Sequence, residues 1–265
     1  MTGTDFCQKD RQITNLIKKM CKNQINLWYL VYQLSKRRNP LIDKYNEKKL
    51  LYDRASQHGI MLTGAQVDSF CLFMGLLSEW NSKINLVGTD DRERIINELL
   101  LDSMIPAPYL PEKGNLVDLG SGAGFPALIL KIIRPGLEVK LVESNGKKVS
   151  FLKFAIRSLH LTGITAINKR IEFLTDDIKA WGCDMVTSRA MADLEKVIRL
   201  SSHFLGPGGI IVGFLGKGGC NEIINIRELL SEYHLEIQKT ISYDLPEKKS
   251  ERTIVLLKKM SSQDI

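Results

Sequence analysis

From Asn115 to Tyr233 the chain alternates short apolar runs with helical stretches, and after Tyr233 that rhythm stops. Runs at 115–120, 138–143, 164–169, 184–188 and 209–215 read as strands. The stretches at 124–134, 146–161, 191–205 and 220–233 read as helices. Strands separated by helices predict a parallel, doubly wound α/β sheet. The last two runs, LEIQKTISYDLP and ERTIVLLKK, have only a charged loop between them. With no helix to carry a crossover, they predict an antiparallel hairpin on the sheet edge. The expected sheet therefore has seven strands, mostly parallel.

Up to Pro111 the pattern is almost wholly helical. In residues 10–36, Ile13, Leu16, Ile17 and Met20 recur at helical spacing. That stretch ends in Lys36, Arg37 and Arg38, with Pro40 as the stop. Its Trp28, Tyr29 and Tyr32 either stack on nucleic-acid bases or dock the helix on a neighbouring core. A second helix covers about 43–58. Thr63 reads as the N-cap of a third, which runs to Asn81 and buries Val67, Phe70, Leu72, Phe73, Leu76 and Leu77. A fourth covers about 91–104, before Pro106 and Pro108. Three segments follow from this reading: a basic helical extension (1–48), a helical region (49–111) and an α/β domain (112–260).

The chemistry concentrates in NLVDLGSGAGFPA, Asn115 to Ala127. An apolar strand ends in Asp118, and Gly120, Gly122 and Gly124 follow at alternate positions. Such a turn lets backbone pass close to a bound small molecule. Dinucleotide enzymes space their glycines G-x-G-x-x-G to seat a diphosphate on a helix N-terminus. Here the spacing is G-x-G-x-G. A sulfonium methyl donor has no phosphate to cradle and needs only close backbone packing. Seven strands with a reversed terminal hairpin also match Rossmann-like class I methyltransferases better than a dinucleotide domain. Glu143 ends the second strand, where a carboxylate can accept both ribose hydroxyls; its plain alternative is an exposed acid. Arg170, Ile171 and Glu172 follow the third strand, where an adenine contact belongs. Ser188, Arg189 and Ala190 end the fourth. Arg189 either holds a base or phosphate or pairs with Asp118 or Glu143. Lys217, after the fifth strand, faces phosphate or water. His58, His160, His203 and His234 read as structural or exposed, and no Ser-His-Asp order or HExxH string supports a hydrolase.

Charge is unevenly placed. Residues 1–50 hold 11 Lys or Arg against 4 Asp or Glu, whereas 51–265 hold 26 of each. The net +7 therefore belongs to the N-terminal segment, which is either a polyanion contact or a solvated helix face. The glycine-motif domain is expected to be neutral ground. Five cysteines without a C-x-x-C pair argue against a disulfide framework or a metal site. No apolar run reaches the roughly 20 residues that span a bilayer, and the N-terminus lacks a secretory layout. A cytoplasmic protein is expected.

Several segments together resemble one family. EWNSKINLVG (Glu79 to Gly88), LLLDSMIPAPYL (Leu99 to Leu110), DLGSGAGFPA, LVESNGKKVSFL (Leu141 to Leu152), RIE (Arg170 to Glu172), SRAMADL (Ser188 to Leu194) and the closing DLP…ER…VLLKK are similar to the bacterial small-subunit rRNA guanine-N7 methyltransferases of the RsmG, or GidB, type. The first two are not general methyltransferase motifs. The resemblance implies S-adenosylmethionine as donor, contacted at Gly120, Phe125, Ile171, Glu172 and Arg189, with Glu143 as the strand-end acid. It implies a guanine of 16S rRNA near the decoding centre as acceptor. A monomer without metal or membrane attachment is expected. Guanine N7 carries a lone pair and no proton, so no general base is expected. The segment 1–48 has no family counterpart, and Ala127 stands where glycine is common. Two other classes stay open here: an NAD-type oxidoreductase, which the glycine spacing disfavours, and a non-catalytic RNA-binding protein with a vestigial site.

Overall fold

Seven strands form one sheet: β1 (Gly114–Leu119), β2 (Leu137–Glu143), β3 (Ile164–Asn168), β4 (Met185–Ser188), β5 (Ile210–Leu215), β6 (Leu235–Leu245) and β7 (Ser250–Lys259). Their order is β3-β2-β1-β4-β5-β7-β6. The computed structural model describes residues 40–174, 181–189, 193–216, 218–246 and 250–261. Strands β1 to β5 pair in parallel. Strand β7 runs antiparallel to β5, and β6 antiparallel to β7, which is the expected reversed hairpin. The central strands are buried on both faces and read as continuous apolar runs, as a covered parallel sheet requires. The edge strand β6 is mostly exposed.

Side chains of β1 alternate between two cores, as a period of two dictates. Leu116 joins a core with the N-terminal helices, whereas Val117 and Leu119 join Val186, Ile211 and Ile198 on the other face. The order reverses between β1 and β4, and crevices open at such a reversal, at the carboxyl ends of the strands.

The N-terminal helices are α1 (Pro40–Gln57), α2 (Gly64–Asn81) and α3, which joins Arg92–Arg94, a π-helical segment Ile95–Leu100, and Leu101–Met104. Helix α1 opens on Pro40, three residues before the expected start at about 43; proline suits the first turn, where no N–H is needed. The helix expected at 10–36, with Trp28, Tyr29 and Tyr32, lies outside the described residues. In α3 the Leu101 N–H bonds back to the Ile96 carbonyl. The apolar pattern there predicts only an ordinary helix.

Thr63 caps α2 as expected, with Gln66 completing the capping box. The Gln66 side chain also donates to the Ile132 and Ile133 carbonyls, at 3.3 and 3.2 Å. Thr63→Ala removes the cap and should cost about 1 kcal/mol, read as a Tm lower by about 2–4 °C. The buried face of α2 is Val67, Phe70, Cys71, Phe73, Met74 and Leu77. Leu72, expected inside, is 46% exposed, because it lies two residues from Phe70 and Met74 and faces away from their stripe.

The remaining described α-helices are α4 (Ala127–Ile133), α5 (Gly146–Ser158), α6 (Leu194–Ser201), α7 (Gly219–Asn225) and α8 (Arg227–Glu232). Helix α4 begins three residues later than expected, because Gly124 at φ +95° still belongs to the turn. The single helix expected at 220–233 is broken at Ile226. Residues 190–192 and Lys217 lie outside the described residues. No helix among the described residues is long and apolar enough to cross a membrane.

Candidate active site

The glycine turn connects β1 to α4 by bonding to β2. The N–H groups of Gly120 and Ser121 both donate to the Val142 carbonyl, at 2.9 and 3.0 Å, and Gly124 N–H donates to Ser121 at 2.7 Å. Gly120, Gly122 and Gly124 have φ of 72°, 55° and 95°, a left-handed region in which other residues are strained. A Cβ on Gly124 would stand 3.1–3.2 Å from Leu128 and Leu152, whereas one on Gly122 would meet only a carbonyl at 3.8 Å. The turn is thus packed against helices on one side and open on the other.

That open side forms a cleft of about 540 Å³, within the usual size of a small-molecule site. Of the sequence-expected residues, Gly120, Gly122, Phe125, Glu143, Ile171, Glu172 and Arg189 line it, and Asp118 and Gly124 do not. Asp118 lies behind the strand end, 1% exposed. The Thr187 hydroxyl donates to its Oδ1 at 2.6 Å, and Oδ2 is buried without a partner. Burial, opposed by the hydrogen bond from Thr187 and helped by the nearby Glu143 charge, pushes the Asp118 carboxyl up to about 7. A raised native pKa means that the unfolded chain releases this proton first, so stability falls as pH rises from about 4 to 7. Asp118→Asn should remove that decline. Denaturant titrations at pH 4, 5.5 and 7 should show the variant gaining steadily on the wild type, and parallel curves would contradict it.

Glu143 is held firmly. Its Oε2 accepts Gly122 N–H at 2.9 Å and its Oε1 accepts Asn145 N–H at 2.8 Å. Asn168 fixes the strand end by donating to the Glu143 and Ser144 carbonyls, at 3.1 and 2.9 Å. Each carboxylate oxygen has two acceptor sites, so one on each remains for a hydroxyl. Ile171 is buried in the turn Ile171–Phe173, beside exposed Glu172. A carboxylate for a ribose, an apolar wall and an open backbone turn fit S-adenosylmethionine.

Arg189 forms neither ion pair expected of it. Glu143 is engaged by backbone and Asp118 is set behind the turn. The Arg189 Nε lies 3.0 Å from Oδ2 of Asp102, a buried residue of α3. Its other nitrogens donate to the carbonyls of Glu98 and Leu99, at 3.1 and 3.5 Å. The guanidinium carbon stands 5.8 Å from the Phe125 ring centre, within cation–π range.

The N-terminal region supplies more of the cleft than expected. Asn81 Oδ1 accepts the N–H groups of Leu86 and Val87, at 2.8 and 3.0 Å. That bend places Leu86 and Val87 on the cleft wall, with Leu99. The quoted segments EWNSKINLVG and LLLDSMIPAPYL thus carry site residues, and the segments themselves were the signal.

The cleft is not electrostatically neutral. Lys148, Lys169, Arg170, Arg189 and Lys196 line it against two acids, Glu143 and Glu172. Equal charge totals over 51–265 conceal this segregation. Among the described residues no group of three or more His, Cys, Asp or Glu could hold a metal ion.

The family model of rRNA small subunit methyltransferase G (GidB) matches residues 66–255. This chain belongs to that family. The ribosomal RNA small subunit methyltransferase G of Geobacter sp. strain M21 is 35% identical over 210 residues, which are 79% of this chain and 96% of that one. The protein of the same name from Syntrophus aciditrophicus is 33% identical over 221 residues, 81% of this chain and 90% of that one. A third, from Acetivibrio thermocellus, is 32% identical over 214 residues, 80% and 88%. A family member of this kind is a methyltransferase that takes its methyl from S-adenosylmethionine. The oxidoreductase alternative is set aside. The basic segment 1–48 falls outside the stretch that the family model matches.

Proposed function

We propose that this enzyme methylates N7 of one guanine in 16S rRNA, near the decoding centre of the small ribosomal subunit. The observation that carries this reading is the polar equipment of the cleft. It has five cations and two acids, and the inner acid, Glu143, is committed to two backbone N–H groups. Guanine N7 needs no deprotonation, because its lone pair lies in the ring plane. A site that positions the acceptor, with its inner carboxylate committed to backbone, suits that atom. The donor supplies an electrophilic methyl on its sulfonium.

In this reading the turn Gly120–Gly122 packs against the donor, Glu143 accepts its ribose hydroxyls, and Ile171 and Glu172 contact the adenine. Arg189 orients the guanine. Lys148, Lys169, Arg170 and Lys196 meet phosphates, and Leu86, Val87 and Leu99 exclude water from the acceptor face. The N7 edge in duplex RNA faces a deep, narrow groove, so the guanine enters unstacked, from a loop or by extrusion. Such a substrate places the enzyme in the cytoplasm. The N-terminal extension adds sequence-independent affinity for the phosphate backbone.

The test supplies methyl-labelled S-adenosylmethionine and small subunits whose guanines lack the modification. Label recovered as 7-methylguanine at a single rRNA position is the expected result. Label on another guanine atom, or none in RNA, overturns the assignment.

A further inference from the structure

We propose that Asp102 and Tyr243 are positioning residues that fix the plane of the Arg189 guanidinium in the cleft. The inference rests on the reading above, in which Arg189 orients the acceptor base. The three side chains come from three separate parts of the chain: Asp102 from α3, Tyr243 from β6 of the terminal hairpin, and Arg189 from the end of β4. Asp102 is 3% exposed and Tyr243 8%. One carboxylate oxygen of Asp102 faces Arg189 Nε at 3.0 Å, and the other accepts the Tyr243 hydroxyl proton. Both oxygens of a buried charge are thereby engaged, as its burial requires. Burial and the Asp102 charge hold the phenol protonated, so it stays a donor. The carbonyls of Glu98 and Leu99, in the π-helical segment, accept from the terminal nitrogens. Phe125 lies alongside. A guanidinium held at its Nε and at both terminal nitrogens cannot swing about its last torsions, and a small error in placement costs much rate.

The arrangement also ties to the site two elements that flank the central parallel strands. The N-terminal helical region supplies Asp102, and the last hairpin supplies Tyr243. Each completes the site through Arg189 without lining the cleft itself.

Tyr243→Phe keeps the ring, including its edge contact with His58 at 6.2 Å, and removes only the hydroxyl. Single-turnover methyl transfer to unmodified small subunits is measured for the wild type, Tyr243→Phe, Arg189→Lys and the double variant, below the melting temperature of all four. S-adenosylmethionine affinity is measured separately. Tyr243→Phe should slow transfer about tenfold and leave donor affinity within about twofold. The double variant should be no more than about twofold slower than Arg189→Lys, because the hydroxyl acts only through the guanidinium. A wild-type rate in Tyr243→Phe overturns the proposal, and so does a full multiplicative loss in the double variant. Should Arg189→Lys fall below detection, the rate and donor affinity of Tyr243→Phe decide alone. A wild type that methylates no guanine N7 overturns the functional reading instead.

Discussion

Glu143→Ala is expected to weaken S-adenosylmethionine binding about 100-fold, roughly 2.7 kcal/mol. Two effects add. The variant loses the charged acceptor for the ribose hydroxyls, and hydrogen bonds to a charged group are worth about 1.5–3 kcal/mol. It also frees the N–H groups of Gly122 and Asn145, which Glu143 holds at 2.9 and 2.8 Å. The glycine turn then loses one of the bonds that fix its shape. Glu143→Gln keeps one acceptor oxygen and should fall between, at about tenfold. Calorimetric titration with the donor measures both, with circular dichroism as the check on folding. A folded Ala variant that binds within about threefold of the wild type would remove Glu143 from the donor site.

The fold was largely legible because its signals are local. Strand and helix periods, the glycine turn and the helix-free end of the chain each lie within a few residues of the structure they determine. The observed strands β1 to β5 fall within a residue or two of the expected runs, and the hairpin is where the broken rhythm puts it. The misses at the site share a physical source. Partners brought together by folding leave no mark at sequence spacing. Asp102 and Tyr243 are 141 residues apart, so an ion pair for Arg189 could be anticipated but its partner could not. The π-helical segment hides for a related reason. Ile95, Ile96, Leu100, Leu101 and Met104 give the same apolar stripe whether the turn between them is α or π, while the extra residue decides where the Glu98 and Leu99 carbonyls stand. Charge behaves likewise: a balanced total over 51–265 says nothing of five cations gathered at one cleft.

Arg189→Ala should reduce methyl transfer about 100- to 1,000-fold, the range seen when a preorganised donor is removed from an active site. The sequence alone suggests that the fold survives this change untouched, but the structure adds a cost. The Asp102 side chain is only 4% exposed, and removing its cation leaves a buried charge whose remaining hydrogen bond among the described residues comes from Tyr243. Breaking such a pair costs about 3 kcal/mol or more, so Tm should fall by about 10 °C. Loss of activity in this variant is therefore ambiguous unless stability is restored. The triple variant Arg189→Met, Asp102→Leu, Tyr243→Phe restores it by removing the buried charge and both of its donors together, since apolar replacement of a whole buried network is often neutral or stabilising. Its Tm should return to within about 3 °C of the wild type while methyl transfer stays at the Arg189→Ala level. If transfer recovers along with Tm, Arg189 serves the fold rather than the reaction, and the orientation of the guanine must come from the other cations of the cleft.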